Sequence, residues 1–128
     1  MNITGTHLQY NIDIHGKFSV IFKKIRAILL SYSQIKELKN AKQTSYHDEH
    51  GVVVMMRTKG DVLVVAFGKG SKLQERYPML KGSGKIVRHL YFKMIDELDE
   101  NLLREMIEES FILGMEADEL KKLREALG

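Results

Sequence analysis

Residues 52–67 read VVVMMRTKGDVLVVAF, and this stretch decides the fold class. Two runs rich in β-branched residues, 52–57 and 61–67, flank the triplet Lys59-Gly60-Asp61. Runs of this length predict strands, and a glycine between them predicts a hairpin turn. The second run is apolar at both alternating sets of positions, so we expect it in the middle of a sheet. The stretch therefore predicts an antiparallel pair at the centre of the fold.

Three further segments have the pattern of strands. Residues 8–15 alternate between apolar and polar side chains, which predicts a half-buried first strand. Residues 39–46 predict an outer strand with a polar face, and residues 86–92 predict the next strand after the hairpin. We therefore expect an antiparallel sheet of about four to five strands.

Helical periodicity appears on both sides of the sheet segments. Between Phe18 and Tyr32 apolar residues recur at helical spacing, which predicts an amphipathic helix. A second helix is expected from Asp99, its N-cap, to Leu113, with Gly114 as its stop. For residues 114–128 we expect a short C-terminal helix whose leucines, at 120, 123 and 127, face inward. The order of these elements favours an α+β fold in one domain, residues 1–128, with a sheet packed by N-terminal and C-terminal helices.

Composition narrows the function classes. The chain has 128 residues, 44% of them hydrophobic and 29% charged, as expected of a globular domain that buries an ordinary core. No apolar run approaches the length of about 20 residues that a membrane span requires. The absence of cysteine excludes disulfides, thiolate metal sites and thiol catalysis, and it fits a cytoplasmic location.

The net charge of +3 conceals a strong division along the chain. Residues 17–93 hold 16 Lys and Arg against 5 Asp and Glu, whereas residues 94–128 hold 4 against 11. Two interpretations remain open. Either a basic sheet and an acidic helical layer partly compensate each other in the fold, or a basic face binds an anionic partner.

Residues 80–92, LKGSGKIVRHLYF, contain the strongest candidate binding site. Two glycines that tolerate positive φ can point successive N–H groups into one concavity, where an anion binds. The candidate ligand-binding residues are Lys81, Gly82, Gly84, Lys85 and Arg88. A purely structural turn is the alternative. Because side chains alternate along a strand, we expect Arg88 to share a face with Leu90, and His89 to point towards the helices with Val87 and Tyr91.

The loop does not match a nucleotide-hydrolysing P-loop. That motif requires a glycine at the position of Met79, a Ser or Thr at the position of Ile86, and a following helix. Neither a nucleophile–His–Asp order nor a nucleic-acid-binding signature is recognisable, so we predict no enzymatic activity and do not favour a nucleic-acid partner.

From about residue 18 to residue 113 the chain resembles the YdhG-like family of bacterial domains, some of which are described as frataxin-like iron chaperones. The matching segments are VVAFGKG at 64–70, LKGSGK at 80–85 and RHLYFK at 88–93. The resemblance implies an α+β fold and, as a second functional possibility, iron binding on the acidic C-terminal helix. The residues that would bind the metal are Asp96, Asp99, Glu105, Glu108 and Glu109. Iron is the only cofactor that the resemblance implies, and the residues themselves point to none.

The segment His47-Asp48-Glu49-His50 also groups metal-capable side chains, but turn tips hold ligands poorly, so a solvated turn is expected there. The sequence therefore predicts a small non-enzymatic cytoplasmic protein, monomeric or homodimeric. It binds a small anionic ligand or a protein partner near the basic loop 81–88. The alternative is the frataxin-like iron role.

Overall fold

The computed structural model describes residues 7–128, which form four helices and one five-stranded sheet. The elements in chain order are α1 (Leu8–His15), α2 (Ser19–Leu30), β1 (Lys36–Lys39), β2 (Thr44–Asp48), β3 (Gly51–Lys59), β4 (Val62–Phe67), α3 (Gly70–Arg76), β5 (Arg88–Phe92), a short 3-10 helix (Ile95–Glu97) and α4 (Glu100–Leu127). The predicted α+β class is confirmed.

The strands form an antiparallel meander in which each strand pairs with the next in the chain. The predicted hairpin is confirmed: β3 and β4 pair from Val54 opposite Phe67 to Lys59 opposite Val62. Gly60 has a φ of +58°, which explains the glycine at the turn. Strand β4 lies inside the sheet between β3 and β5, as its two apolar faces predicted.

The core lies between one face of the sheet and the helices. Alternate residues of β3, β4 and β5, including Met56, Val65 and Phe92, pack with the apolar stripe of α2 and with the first half of α4. The predicted helix within residues 18–32 is confirmed, because α2 buries Ile21, Phe22, Ile25, Ile28 and Leu29. The opposite face of the sheet carries no helix among the described residues, and we call it the open face.

Residues 8–15 form a helix, so the predicted first strand is wrong. The apolar positions 8, 10, 12 and 14 fit a period of two, but Tyr10 and Ile14 are also one helical turn apart and pack together against the core. Leu8 and Ile12 remain exposed, and the fully buried residue of this helix is Asp13. An eight-residue segment is too short for the two periods to be distinguished by apolar positions alone.

The separate C-terminal helix and the stop at Gly114 are also wrong. Helix α4 follows its predicted N-cap Asp99 and runs without a break for 28 residues, from Glu100 to Leu127. A side chain on Gly114 would place its Cβ 2.8 Å from the Cβ of His50, so this glycine permits close packing instead of ending the helix. The leucines at 120, 123 and 127, predicted to face inward, are exposed.

The outer strand predicted at residues 39–46 is divided in the structure. Its ends belong to β1 and β2, and the turn between them is closed by Asn40, whose side chain accepts hydrogen bonds from the N–H groups of Lys42 and Gln43. Among residues 7–128, no helix combines the length and the apolar content that crossing a membrane requires.

Candidate functional site

A row of paired residues crosses the open face of the sheet. Cross-strand pairing joins Lys81 to His89, His89 to Ala66, Ala66 to Met55, and Met55 to Ser45. Directly paired residues of antiparallel strands extend their side chains on the same face, so this row lies opposite the core. The floor of the open face is therefore apolar at its centre and basic at the β5 edge.

A groove of about 320 Å³ lies on this face. Met55, Val64, Ala66 and Val87 contribute its apolar lining. The polar groups around it belong to Lys42, Gln43, Arg57 and His89. Its volume is at the lower end of the range of about 300–1,000 Å³ that small-ligand pockets occupy.

The charge of the groove is entirely basic. Lys42 and Arg57 line it together with the titratable His89, and no carboxylate is among its lining residues in the described part of the chain. Within residues 7–128, neither Lys42 nor Arg57 forms an ion pair, in contrast to Lys24, Arg26 and Arg104, which contact acidic residues. Among the described residues, no acidic side chain that lines the groove neutralises its positive charge.

The glycine loop borders the groove at the β5 edge. Lys81 and His89 exchange two backbone hydrogen bonds, of 2.9 and 2.8 Å between N and O, so residue 81 extends the sheet beyond β5. Gly82 follows with a φ of +125°, and a Cβ there would lie 3.4 Å from the ring of His89. Gly84 and Lys85 are exposed at the loop tip. Positive φ is thus required at one of the two predicted glycines.

Arg88 fixes this loop from the other side of the sheet. Its guanidinium donates hydrogen bonds to the carbonyl oxygens of Gly84 (2.5 Å) and Val87 (2.9 Å) and to the side-chain oxygen of Gln74 (2.8 Å) in α3. These bonds use the Nε and Nη1 donors of Arg88 and direct its guanidinium towards the loop backbone and α3. Arg88 shares its face with Leu90, as predicted, but that face packs against the helices.

His89 points away from the helices, so the prediction that it faces them with Val87 and Tyr91 is wrong. Leu90 and Phe92 provide the core contacts of β5, and the period of two places His89 and Tyr91 on the open face. The two rings stack there, with their centroids 5.9 Å apart. His89 thereby joins the groove.

Lys42, Gln43 and Arg57 are groove residues that the sequence alone did not identify. They come from the β1–β2 turn and from β3, far in sequence from the glycine loop, and only the pairing of β2, β3, β4 and β5 brings them to one face. Arg57 is the residue from which the sequence could have indicated this part of the site. It lies two residues after Met55 in a predicted central strand, so the two side chains are expected on the same face of the sheet.

The acidic residues proposed for iron are dispersed among separate contacts. Asp99 accepts a hydrogen bond from the N–H of Leu102 and caps α4. Glu108 accepts one from the hydroxyl of Tyr32 at 2.6 Å, and Glu109 contacts Arg76 at 3.5 Å. Glu105 lies 3.5 Å from the hydroxyl of Tyr77, and Asp96 is exposed. Among the described residues, no three His, Asp or Glu side chains converge in a way that could hold a metal ion.

The turn at His47–His50 is tied to α4. The Nδ1 atom of His50 contacts a carboxylate oxygen of Asp118, and this hydrogen bond raises the pKa of His50. His47 instead contacts the hydroxyl of Ser45, with 2.9 Å between Nε2 and Oγ. The two histidines therefore have different partners, and the turn anchors the point where α4 leaves the body of the domain.

The comparisons with known proteins provide no relative for this chain: no family model, no curated protein and no solved structure matched it. The resemblance to the YdhG-like family stays a prediction. The groove and its neighbouring loop are therefore the features of this chain that bear on its function.

Proposed function

We propose that this protein binds a small phosphate-bearing ligand in the groove on the open face of its sheet. The lining of the groove supports this proposal, because two cationic side chains and His89 surround an apolar floor and none of the described residues that line it is acidic. Anions bind where such charge is uncompensated. The exposed Lys81 and Lys85 on the neighbouring loop attract the ligand towards the same edge.

Each part of the site has a distinct role in this proposal. Lys42 and Arg57 contact the anionic group, since Arg presents a planar fork of donors that matches phosphate oxygens. The apolar floor at Val64 and Ala66 accepts the non-polar part of the ligand. Gly82 shapes the loop through its positive φ, and Arg88 holds the loop from the helix side by its hydrogen bond to the carbonyl oxygen of Gly84. In this proposal the protein acts as a binding protein. A cytoplasmic location, predicted from the absence of cysteine, is part of the same proposal.

Isothermal titration calorimetry with inorganic pyrophosphate as the probe tests this function. We expect binding by the wild-type chain and affinity about fivefold lower for each charge removed by Lys42→Gln and Arg57→Gln, because both side chains are solvent-exposed. Lys23→Gln removes the same charge from the outer side of α2 and should leave the affinity unchanged. Equal affinity of the wild type and the double variant would reject the groove as the binding site.

The iron role suggested by the resemblance is decided by a separate measurement. Iron(II) titration of the wild type is compared with a variant carrying Glu105→Gln, Glu108→Gln and Glu109→Gln. Identical binding by the two proteins would remove the acidic face of α4 as an iron site, and loss of binding in the variant would support it.

A further inference from the structure

The C-terminal half of α4 extends beyond the domain with an apolar stripe on its surface. From Met115 to Gly128 every residue is exposed except Asp118, which holds His50. Leu120, Leu123 and Leu127 are 49%, 55% and 80% exposed. The first half of α4 packs on the domain and buries Leu103, Met106, Ile107 and Phe111, whereas the apolar side chains after Gly114 have no such cover among residues 7–128.

The stripe has an unusual symmetry about Leu120. Ala117 and Leu123 lie three residues on either side of it, Leu127 lies seven residues after it, and Leu113, seven residues before it, is partly buried against the core at the point where the stripe begins. If a second copy of the helix ran antiparallel about a two-fold axis at Leu120, each of these residues would meet a small or apolar residue of the other copy. A two-fold interface requires this kind of self-complementarity.

The charges beside the stripe change sign about the same residue. Glu116 and Glu119 precede Leu120 by four and one residues, and Lys121 and Arg124 follow it by one and four. In the antiparallel arrangement, Glu116 of one copy lies opposite Arg124 of the other, and Glu119 lies opposite Lys121. Both ends of the interface would then gain opposite-charge pairs.

Two of these four charges, Glu116 and Arg124, are not explained by pairing within the helix. Glu116 and Arg124 have no oppositely charged residue three or four positions away in either direction. Among residues 7–128 neither of them forms an ion pair, whereas Arg104 and Glu100, earlier in the same helix, form such a pair at i, i+4. Both charged groups are exposed and are therefore available for contacts with another molecule.

We infer that the projecting part of α4 is a dimerisation surface for a second copy of this chain, with the two helices antiparallel and crossing at Leu120. The contact of His50 with Asp118 and the close approach of Gly114 to His50 hold the helix at the point where it leaves the domain. The surface is thus presented in a fixed direction. This inference is independent of the proposed ligand-binding function.

Sedimentation velocity at micromolar concentration measures the predicted assembly. The wild type should have a mass near twice 14.8 kDa, and Leu120→Glu should be a monomer. Met115→Glu is the matched control, since Met115 is 55% exposed but lies about 140° around the helix from Leu120. It should remain a dimer. A monomeric wild type, or a Leu120→Glu variant that is still dimeric, would overturn the inference.

Disulfide trapping determines the direction of the helices, because the chain has no cysteine of its own. A mixture of Glu116→Cys and Arg124→Cys proteins should oxidise to a crosslinked heterodimer, while each variant alone should not crosslink. Circular dichroism of both variants shows whether the helix content is preserved. Crosslinking of either variant with itself, and none in the mixture, would contradict the antiparallel arrangement.

Discussion

Replacing Tyr46 by Phe tests the contact that joins the outer strands to helix α2. The ring of Tyr46 is fully buried, and its hydroxyl donates a hydrogen bond to a carboxylate oxygen of Glu37 at 2.8 Å. Arg26 of α2 donates two more, at 2.7 and 3.0 Å, to the same carboxylate. The substitution keeps the ring in place and removes one hydrogen bond to a charged acceptor, so no large cavity forms.

We expect Tyr46→Phe to lower the free energy of unfolding by about 2 kcal/mol at pH 7, the usual magnitude for a hydrogen bond to a charged group. Urea denaturation followed by circular dichroism measures this change. Tyr77→Phe is the matched control: Tyr77 is also buried, but its hydroxyl lies 3.5 Å from Glu105, so the loss should be below about 0.5 kcal/mol.

The effect of Tyr46→Phe should depend on pH. Burial acts to raise the pKa of Glu37, but the hydrogen bonds from Arg26 and Tyr46 outweigh it and hold this pKa below the usual value of 4.5. Stabilisation by a group with a lowered pKa is present above the unfolded-state pKa and is lost as the pH falls through the folded-state pKa. The difference between the wild type and the variant should therefore shrink below about pH 4. An equal difference at pH 3 and pH 7 would refute the assignment of the effect to the ionised carboxylate.

Three further substitutions test other parts of the fold. Asp13 is buried, and this burial is the main reason why its pKa is raised. Its carboxylate accepts a hydrogen bond from the N–H of Thr58 at 2.8 Å. Asp13→Ala should therefore lower the free energy of unfolding by about 2 kcal/mol, and Asp13→Asn should lower it by less. Because the pKa of Asp13 is raised in the folded state, ionisation of this carboxyl should reduce the stability of the wild type as the pH rises from about 4 to 7, and this loss should be absent from both variants. Urea denaturation across that pH range measures the difference. A Cβ at Gly70 would lie 2.2 Å from the backbone of β5, so Gly70→Ala should lower the melting temperature, and an unchanged value would contradict the packing of α3 on β5. Asp118→Asn should lower the pKa of His50 in an NMR titration, because the carboxylate now raises it; an unchanged pKa would show that the contact is absent in solution.

The sheet could be predicted from sequence because the residue pattern of its central strands is typical of β-strands. Strands β3 and β4 consist of β-branched runs on either side of a glycine turn, and local pattern and global fold agree there. The sequence does not predict helix α1 because its four apolar residues fit a period of two, whereas in the helix only Tyr10 and Ile14 face the core. The hydrogen bond from the N–H of Thr58 to Asp13, which helps to hold the helix, joins residues far apart in the chain.

The glycines show the same limit. Gly60 and Gly82 have positive φ and follow the usual rules for turns. Gly114 has none of the local signals of close packing, because what it approaches is His50 of another element. Its position after an amphipathic stripe predicts a helix end. In the structure it instead allows helix α4 to pack closely against the turn that contains His50.

The candidate site was predicted only at its β5 edge. The loop 81–88 is contiguous in sequence, so its glycines and lysines are visible there. Lys42 and Arg57 become part of the same surface only through strand pairing. His89 lies in the groove because its side chain is on the open face of β5 and not on the helix-facing side that we predicted. Arg88 shows the opposite case, since the helix-facing side of β5 directs its guanidinium to the backbone of the loop.

An amide chemical-shift map of the wild-type chain, recorded during titration with inorganic pyrophosphate, shows directly whether the groove binds the ligand. We expect the largest shifts at Lys42, Gln43, Arg57 and His89, smaller ones in the loop 81–88, and none for residues on the outer side of α2. Shifts confined to α4, or none in the groove, would contradict this expectation.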